Sequence, residues 1–245
     1  MSKSNIEESI ENQWARLGAM FNVSASRREV DVERLLLETA RRAAVDSRLF
    51  ILAVTWLAKY GDYVAKHRLA HLILHELEEE HQATMGLMLD LARENGANNA
   101  RRFNQAIQNC KFAVDERPLF DIDRRNAFFI RAAEKNASAL SRKWGRWVED
   151  FELKDDAIRT AAWIVEHNPS MRWRGDFKGG LRASILAELD AHPKSGRSES
   201  ELARTCGATR TAIINAAKQL ERSGKVRRQR HGKRREVHKA ERSAA

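Results

Sequence analysis

The 245-residue chain has few of the residues on which covalent frameworks, metal frameworks and turn-rich sheets depend. Its two cysteines, Cys110 and Cys206, lie far apart and show no zinc-type spacing. This argues against a disulfide framework and fits a reducing compartment. Only 3 prolines and 12 glycines interrupt a chain rich in Ala, Leu, Arg and Glu, so the composition favours helices.

Long apolar runs are also missing. The longest, LFILAVTWLA at 49–58, is about half the length that a membrane-spanning helix requires. The opening residues, MSKSNIEESIENQW, lack the apolar core of a signal peptide. We therefore expect a cytoplasmic protein with no membrane partner.

Most catalytic signatures are absent as well. The sequence contains no phosphate-cradling GxxxxGK[ST] loop, no GxSxG elbow and no plausible Cys/His nucleophile pair. We therefore expect a protein that is not an enzyme, with no catalytic residues and no cofactor.

Positive charge, in contrast, is abundant and concentrated in the last third of the chain. Residues 171–245 contain 19 Lys and Arg against 8 Asp and Glu, whereas the first 170 residues contain 25 against 26. The net charge of +10 therefore resides in the C-terminal region. Such asymmetry is typical of a polyanion-binding module joined to a nearly neutral domain.

Residues 1–168 show the apolar spacing of successive amphipathic helices. Helices are predicted near 31–45, 47–60, 80–95, 99–114, 122–144 and 155–167. Short connections between them predict a mainly α fold, either a bundle or HEAT-like stacked pairs. We expect this domain to dimerise or to bind a signal or protein partner. The segment PSMRWRGDFKGG (169–180) mixes glycines with basic residues and is interpreted as a basic linker.

Three helices and a hairpin are predicted beyond the linker. The first helix is LRASILAELDAHP (181–193), and the second is capped by Ser198 or Ser200 and stops at a tight turn at Gly207. Thr209 caps the third helix, whose apolar stripe consists of Ile213, Ala216, Ala217 and Leu220. KVRRQ and RREVH flank His231-Gly232 as a β-hairpin, and 240–245 is expected to be a disordered tail.

Several short motifs in this region occur in the same order as in a known DNA-binding family. Leu202-Ala203, Cys206-Gly207-Ala208, Thr209-Arg210-Thr211 and LERSGKV (220–226) resemble the stretch from the second helix to the wing of winged helix-turn-helix domains. The resemblance covers about 178–239, roughly a quarter of the chain. It implies a winged helix over 181–239 with a short β-hairpin wing, whose third helix enters the major groove of DNA.

The resemblance and the side-chain chemistry together give candidate contacts with DNA. The base-reading candidates are Thr209, Arg210, Thr211, Ile214, Asn215 and Lys218. Arg210 suits guanine, Asn215 suits adenine, and Ile214 suits a thymine methyl group. Contacts with the phosphate backbone or the minor groove are expected from Lys225, Arg227, Arg228, Arg230, His231, Lys233, Arg234 and Arg235.

The segment HRLAHLILHELEEEH (67–81) is the one concentration of histidine and glutamate. If one helix runs unbroken to His81, its four histidines and Glu78 share the side opposite the apolar stripe, as on an ordinary solvated face. A metal site from His71, His75, Glu78 and His81 is geometrically allowed. However, the metalloprotease motif HExxH is not matched, because Glu79 stands where its second histidine is required. A di-iron site is not matched either, because it needs a second Glu-x-x-His besides Glu78-x-x-His81. We expect no metal.

Taken together, these features predict a sequence-specific double-stranded DNA-binding protein, most simply a transcriptional regulator that acts as a homodimer at the nucleoid. A plasmid or phage replication or partition protein would use the same module. The enzyme-class alternative resembles the helical HEPN ribonucleases, because Arg68 and His75 fit that family's loose arginine-to-histidine spacing. In that scheme both side chains would act on the scissile phosphate.

Overall fold

The computed structural model describes residues 8–96, 103–191, 196–231 and 234–240. Thirteen α-helices occupy most of these residues, together with one pair of very short parallel strands and one three-stranded antiparallel sheet. The prediction of a mainly α fold is confirmed. None of the described helices is both long enough and apolar enough to cross a lipid bilayer.

The described residues form two compact units. The first comprises residues 8–61 and 72–168, and the second comprises residues 62–71 together with those from Pro169 onward. The division falls inside the helix Lys66–Glu76, whose residues 66–71 belong to the second unit. A short segment from the middle of the chain is therefore part of the C-terminal unit, which the sequence did not predict.

The first unit consists of helices and two short strands. Its helices are α1 (Ile10–Arg16), α2 (Val32–Arg42), α3 (Ser47–Tyr60), the later part of α4 (Lys66–Glu76), α5 (Glu79–Asn95), α6 (Asn104–Gln108), α7 (Ala127–Asn136), α8 (Ala139–Trp144) and α9 (Ala161–His167). Strands β1 (Arg117–Pro118) and β2 (Arg146–Trp147) pair in parallel. Helix α5 is buried at every residue from Gln82 to Ala92, and α2, α3 and α8 pack against it.

Close packing and a buried charge fix α8 against α5. The side chain of Asp90, fully buried in α5, accepts hydrogen bonds from Nζ of Lys143 at 2.8 Å and from Nε1 of Trp144 at 2.9 Å. Gly86, one turn earlier, leaves room for the Trp144 ring, because a Cβ there would lie 2.3 Å from the ring carbons. The tryptophan thus fills core space while its N–H is satisfied.

Three of the predicted helices, 99–114, 122–144 and 155–167, are shorter than the apolar pattern indicates, and the last is reduced to a 3₁₀ helix (Asp155–Ala157) followed by α9. Within 122–144, the side chains of Asn126 and Ser138 cap new helices, so the region divides into a 3₁₀ helix (Asp121–Arg124), α7 and α8. Within 99–114, α6 is the helix among the described residues, and residues 97–102 lie outside the described part. Within 122–144, local side-chain caps thus override a continuous apolar period.

The second unit combines helices with a small sheet. Besides residues 62–71 it contains α10 (Ser170–Asp176), α11 (Leu181–Ala191), α12 (Glu199–Cys206), α13 (Arg210–Arg222), β3 (Arg197–Ser198), β4 (Val226–His231) and β5 (Arg234–Lys239). The strand order is β3-β5-β4 and both pairings are antiparallel. Strands β4 and β5 form the hairpin that the sequence predicted, while β3 is an additional strand.

One apolar core joins these helices and strands. Its buried residues are Ile185, Leu186, Leu189, Leu202, Cys206, Ile213, Ala216, Ala217, Leu220, Val226 and Val237. They come from α11, α12, α13, β4 and β5, so the hairpin is anchored to the helices by side chains of both its strands. All four residues of the apolar stripe predicted for the third helix are among them.

The segment predicted as a basic linker is instead part of the second unit. Residues 170–176 form α10, in which Met171 is fully buried and Arg174 donates a hydrogen bond to the carbonyl of Tyr63 at 2.9 Å. Gly179 adopts φ +64, and a Cβ there would lie 2.0 Å from the carbonyl oxygen of Val64. The glycines that suggested a linker therefore permit close packing against residues 62–71. The predicted tail, apart from Ala240, lies outside the described residues.

Candidate nucleic-acid interface

Capping side chains fix the geometry of α12, α13 and the turn between them. Ser198 begins α12 with a reciprocal capping box to Glu201. Gly207 ends α12 at φ +63, in the left-handed region that favours glycine. Thr209 then accepts a hydrogen bond from the N–H of Ala212 at 3.2 Å and begins α13. Three residues, Gly207 to Thr209, thus separate the two helices.

Burial divides α13 into two sides. Ile213, Ala216, Ala217 and Leu220 face the core, whereas the opposite side is open to solvent. We call the second side, together with the exposed residues Thr209 and Arg210 at the start of the helix, the α13 face; it consists of Thr209, Arg210, Thr211, Ile214, Asn215 and Lys218. Five of these six residues are exposed, and Ile214 is half-buried. Thr211, Ile214, Asn215 and Lys218 thus share one side of α13, whereas Thr209 and Arg210 lie at its N-terminal end, where helical spacing places them beside the buried stripe.

Arg222 extends the α13 face by one turn beyond Lys218. It is exposed and lies on the same side of the helix, since it follows Lys218 by four positions. Sequence reasoning missed this residue because it assigned contacts to the N-terminal part of the helix. Its helical spacing from Asn215 and Lys218 was the available signal.

The hairpin carries a second group of cations. Arg227 on β4 and Arg235 on β5 are exposed, and Arg230 is exposed opposite Arg235 in the strand register. Lys233 and the side chains of His231 and Arg234 lie outside the described residues. The hairpin therefore presents at least three of the predicted backbone-contacting cations to solvent.

Arg228 is placed differently from its neighbours. Its side chain is only 5% exposed, donates to a carboxylate oxygen of the equally buried Glu199 at 2.7 Å, and lies 3.6 Å from Glu221. Alternation along β4 explains this, because adjacent strand residues point to opposite faces. Arg228 thus fastens the hairpin to α12 and α13, and the expectation that it contacts the phosphate backbone is not supported by its position.

Glu199 connects this buried pair to the α13 face. Its second carboxylate oxygen lies 3.8 Å from a guanidinium nitrogen of Arg210, whose side chain remains 60% exposed. One carboxylate thus approaches both a strand of the hairpin and the first residue of α13. Sequence reasoning missed Glu199, because a glutamate in the first turn of a helix is ordinarily read as part of a cap.

Lys225 is also partly withdrawn from solvent. Its Nζ lies 5.2 Å from the centre of the Trp173 ring, and that of Lys239 lies 5.9 Å from the same ring. The indole N–H of Trp173 donates to Asp190, which also pairs with Lys239. These contacts tie the start and end of the hairpin to α10 and α11, so Lys225 is half-buried rather than free.

Four cations of this surface form no ion pair with the acidic side chains that the structure describes. Among the described residues, no carboxylate forms an ion pair with Lys218, Arg222, Arg227 or Arg235, although the unit contains several Asp and Glu side chains. Their charge is therefore not neutralised within the described protein. An arrangement of this kind favours a polyanion, whose phosphates exchange condensed counterions for the side chains.

The histidine-rich segment does not form one face. Helix α4 ends at Glu76 and α5 begins at Glu79, so the assumed unbroken helix to His81 is wrong. Glu78 precedes α5 and pairs with Arg41 at 2.8 Å, and this hydrogen bond lowers the pKa of its carboxyl. His71 and His75 are exposed, and no group of three potential metal ligands converges anywhere in the described ranges.

The arginine of the ribonuclease alternative lies beside the turn before α13. A Cβ added at Gly207 would be 3.3 Å from Cα of Arg68 and 3.4 Å from Cβ of His71. Arg68 is half-buried there, while His75 is exposed two turns later in α4. Residues 62–71 thus support the α12–α13 turn, a role that no local sequence pattern indicated.

Comparisons with protein-family models, with curated proteins and with solved structures found no match for this chain.

Proposed function

We propose that the protein is a sequence-specific double-stranded DNA-binding protein that acts through a winged helix in its second unit. The observation that carries this proposal is the α13 face, where exposed polar residues lie beside Lys218 and Arg222, which form no ion pair with a carboxylate in the described ranges. The helix order α11, α12, α13 followed by a hairpin agrees with the winged-helix arrangement. The pairing of β3 with β5 supports it further, since it attaches the hairpin to the helices.

In this proposal the N-terminal half of α13 enters the major groove. An α-helix fits that groove, and the side chains on its outer face reach the base edges. We assign a bidentate contact with guanine to Arg210, one with adenine to Asn215, and an apolar contact with a thymine methyl group to Ile214. Each such contact discriminates against a wrong base by about 1–3 kcal/mol.

Exposed cations supply the sequence-independent part of the binding. Lys218 and Arg222 continue along α13, and Arg227 and Arg235 project from the hairpin. We assign these four residues to phosphate contacts, which fix the register of the helix on the duplex. Arg228 is excluded from this set because its buried pair with Glu199 holds it inside the unit.

The biological role that fits these features best is transcriptional regulation at the nucleoid. A regulator of this class reads two half-sites as a homodimer, and the largely neutral first unit is available for that contact or for a protein partner. A replication or partition protein would bind DNA by the same surface. Identification of the bound genomic sites distinguishes these roles.

The proposal is tested by selecting duplexes from a random pool and then comparing variants on the selected site. Asn215→Ala and Arg210→Ala are expected to reduce affinity about 5- to 150-fold and to relax preference at one base pair each. Lys218→Ala and Arg222→Ala are expected to weaken all duplexes similarly and to lower the salt slope by about one each. Arg172→Ala is the matched control, because Arg172 is an exposed cation on α10 outside both groups.

Two results would contradict the proposal. The first is equal affinity of the wild-type chain for selected and random duplexes, and the second is an unchanged base preference in Asn215→Ala. Cleavage of RNA that is lost in His75→Ala, with Asn215→Ala still active, would instead favour the ribonuclease alternative.

A further inference from the structure

The carboxylate of Glu199 lies between a buried cation and an exposed one. Its side chain, in the first turn of α12, is only 5% exposed. Oxygen Oε1 accepts a hydrogen bond from Nη2 of the buried Arg228 at 2.7 Å, and Oε2 lies 3.8 Å from Nη2 of Arg210. Among the described residues no other cation pairs with Glu199, and no other carboxylate pairs with Arg210. One carboxylate therefore joins two arginines through different oxygens.

The two ion pairs of Glu199 differ in length and in burial. The distance to Arg228 is that of a charge-assisted hydrogen bond, and both side chains lie inside the unit. Arg210 is farther from the carboxylate and its side chain stays 60% exposed. Because Arg228 fixes the carboxylate, Oε2 is a fixed point of negative charge beside the first residue of α13. Arg210 is thus drawn toward one place and still has access to a ligand.

Such an arrangement suits an arginine that reads a base. A flexible side chain loses rotamer entropy when it makes a specific contact, so an earlier restraint lowers the cost of that contact. An unrestrained arginine also pairs readily with phosphates, which carry no sequence information. The guanidinium has five N–H donors, of which a bidentate contact with guanine uses two. Donors of Arg210 therefore remain for Glu199 while a base is read.

We propose that Glu199 is a positioning residue for Arg210, which directs the guanidinium to a guanine edge and away from phosphates. The inference rests on the proposed function, in which Arg210 reads a guanine. A bound duplex excludes water from this region, which strengthens the attraction between Glu199 and Arg210 because the local dielectric constant falls. Negative charge at the same point repels phosphate groups. Both effects favour contact with the base edge.

Removal of the carboxylate charge tests the proposal on the selected duplex. Glu199→Gln keeps an oxygen acceptor for Arg228 but removes the charge beside Arg210. At the base pair where Arg210→Ala relaxes preference, it is expected to lower that preference about 3- to 10-fold, as coupled neighbouring residues do. Affinity for random duplexes should not fall. Glu221→Gln is the matched control, because Glu221 also pairs with Arg228, at 3.6 Å, but forms no ion pair with Arg210 in the described part of the chain.

A double-mutant cycle separates positioning from a merely structural role of Glu199. In an Arg210→Ala background, Glu199→Gln should not weaken binding of the selected duplex any further, whereas a loosened unit would weaken it in both backgrounds. A loss of the same size without Arg210 would overturn the inference, as would an unchanged base preference in Glu199→Gln.

A second variant covers the case in which Glu199→Gln does not fold. Glu199→Leu combined with Arg228→Met removes the carboxylate together with its buried partner, so that no buried charge is left alone. The same loss of preference is expected at the base pair read by Arg210. A folded double variant with wild-type preference there would contradict the assignment of Glu199.

The protein without DNA provides a readout that is independent of the proposed function. Nuclear magnetic resonance of the guanidinium groups measures their rotation, and Arg210 is expected to rotate more slowly in the wild type than in Glu199→Gln. Arg222, exposed on the same helix, should rotate equally in both. Equal rotation of Arg210 in both proteins would overturn the positioning role. Slower rotation in a wild-type chain that selects no duplex would leave the restraint standing and refute the proposed function alone.

Discussion

The two units arrange their charged side chains in different ways. In the first unit cations often meet a carboxylate from another helix or loop, as in Arg41 with Glu78 at 2.8 Å and Lys111 with Glu79 at 2.6 Å. In the second unit Lys218 and Arg227 remain without such a partner among the described residues. The difference shows that charge available to a ligand depends on pairing as well as on composition.

An arginine can therefore have one of two roles: an exposed cation is available to a ligand, and a buried cation stabilises its own unit. Exposed ion pairs add little to stability, so the pairs of the first unit mainly neutralise its surface. An exposed cation without a partner costs little in the folded state and keeps its full attraction for phosphate. A buried cation, such as Arg228, contributes instead to the structure of its own unit. The second unit contains both kinds within one strand.

The largest expected effect is on the free energy of unfolding, and it distinguishes the buried Arg228 from its exposed neighbour Arg227 in β4. Arg228→Ala leaves the buried carboxylate of Glu199 without its 2.7 Å partner and should reduce the free energy of unfolding by about 3 kcal/mol. Arg227→Ala removes an exposed charge and should change it by less than about 0.5 kcal/mol, while weakening DNA binding. Denaturant unfolding followed by circular dichroism, with amide hydrogen exchange in α12 and β4, measures the difference.

A double substitution provides the control for that experiment. Replacing the pair by apolar residues, as in Glu199→Leu with Arg228→Met, removes both buried charges and should recover most of the lost stability. If Arg227→Ala and Arg228→Ala prove equally destabilising, the distinction between exposed and buried cations in β4 is wrong.

A smaller loss of stability is expected at Gly207 and Gly224, two of the three left-handed glycines described in the second unit. Gly207 has φ +63 and lies close to the backbone of Arg68, whereas Gly224 has φ +66 and no atom within 4 Å of a Cβ built on it. Alanine should cost about 1–2 kcal/mol at Gly224 from backbone conformation alone, and more at Gly207. Thermal unfolding of Gly207→Ala and Gly224→Ala measures the excess. Equal costs would show that residues 62–71 do not support the α12–α13 turn.

The smallest expected effect on stability at neutral pH comes from the two buried thiols, Cys110 in the first unit and Cys206 in the second. Burial raises the pKa of Cys110 and of Cys206 to about 12, so almost no thiolate exists at pH 8. Neither thiol should react with Ellman's reagent until the protein unfolds. Since an unfolded thiol ionises near pH 8.5, the folded chain holds more protons between about pH 8.5 and 12. Stability should therefore fall as pH rises through that interval. Rapid labelling of either thiol in the native protein would contradict its burial.

Local chemistry explains what could be predicted from the sequence. The cap of Thr209, the turn at Gly207 and the helical spacing of apolar residues in α13 all depend on interactions within a few residues. Each was found where the sequence pattern indicated. The limits of α3, Ser47–Tyr60, were predicted for the same reason. The shared side of Thr211, Ile214, Asn215 and Lys218 followed from the limits of α13 and from helical periodicity.

Long-range packing explains what could not be predicted. Residues 169–180 resemble a linker in composition, yet Gly179 fits against the carbonyl of Val64, more than a hundred positions earlier. Arg228 resembles its exposed neighbours until Glu199 and Glu221 are known to lie beside it. The exposed aromatics of α7 gave no signal, because Phe128 and Phe129 have the composition of a core helix.

The carboxylate of Glu199, which approaches both Arg228 and Arg210, has a consequence for any change of base preference at the proposed DNA interface. An experimenter who replaced Arg210 to favour another base would also change the electrostatic surroundings of a salt bridge that holds the hairpin. A library randomised at positions 210, 214 and 215 alone would therefore lose clones for reasons unrelated to base preference. Including position 199 in the randomised set would let the salt bridge of the hairpin change together with the residue at position 210.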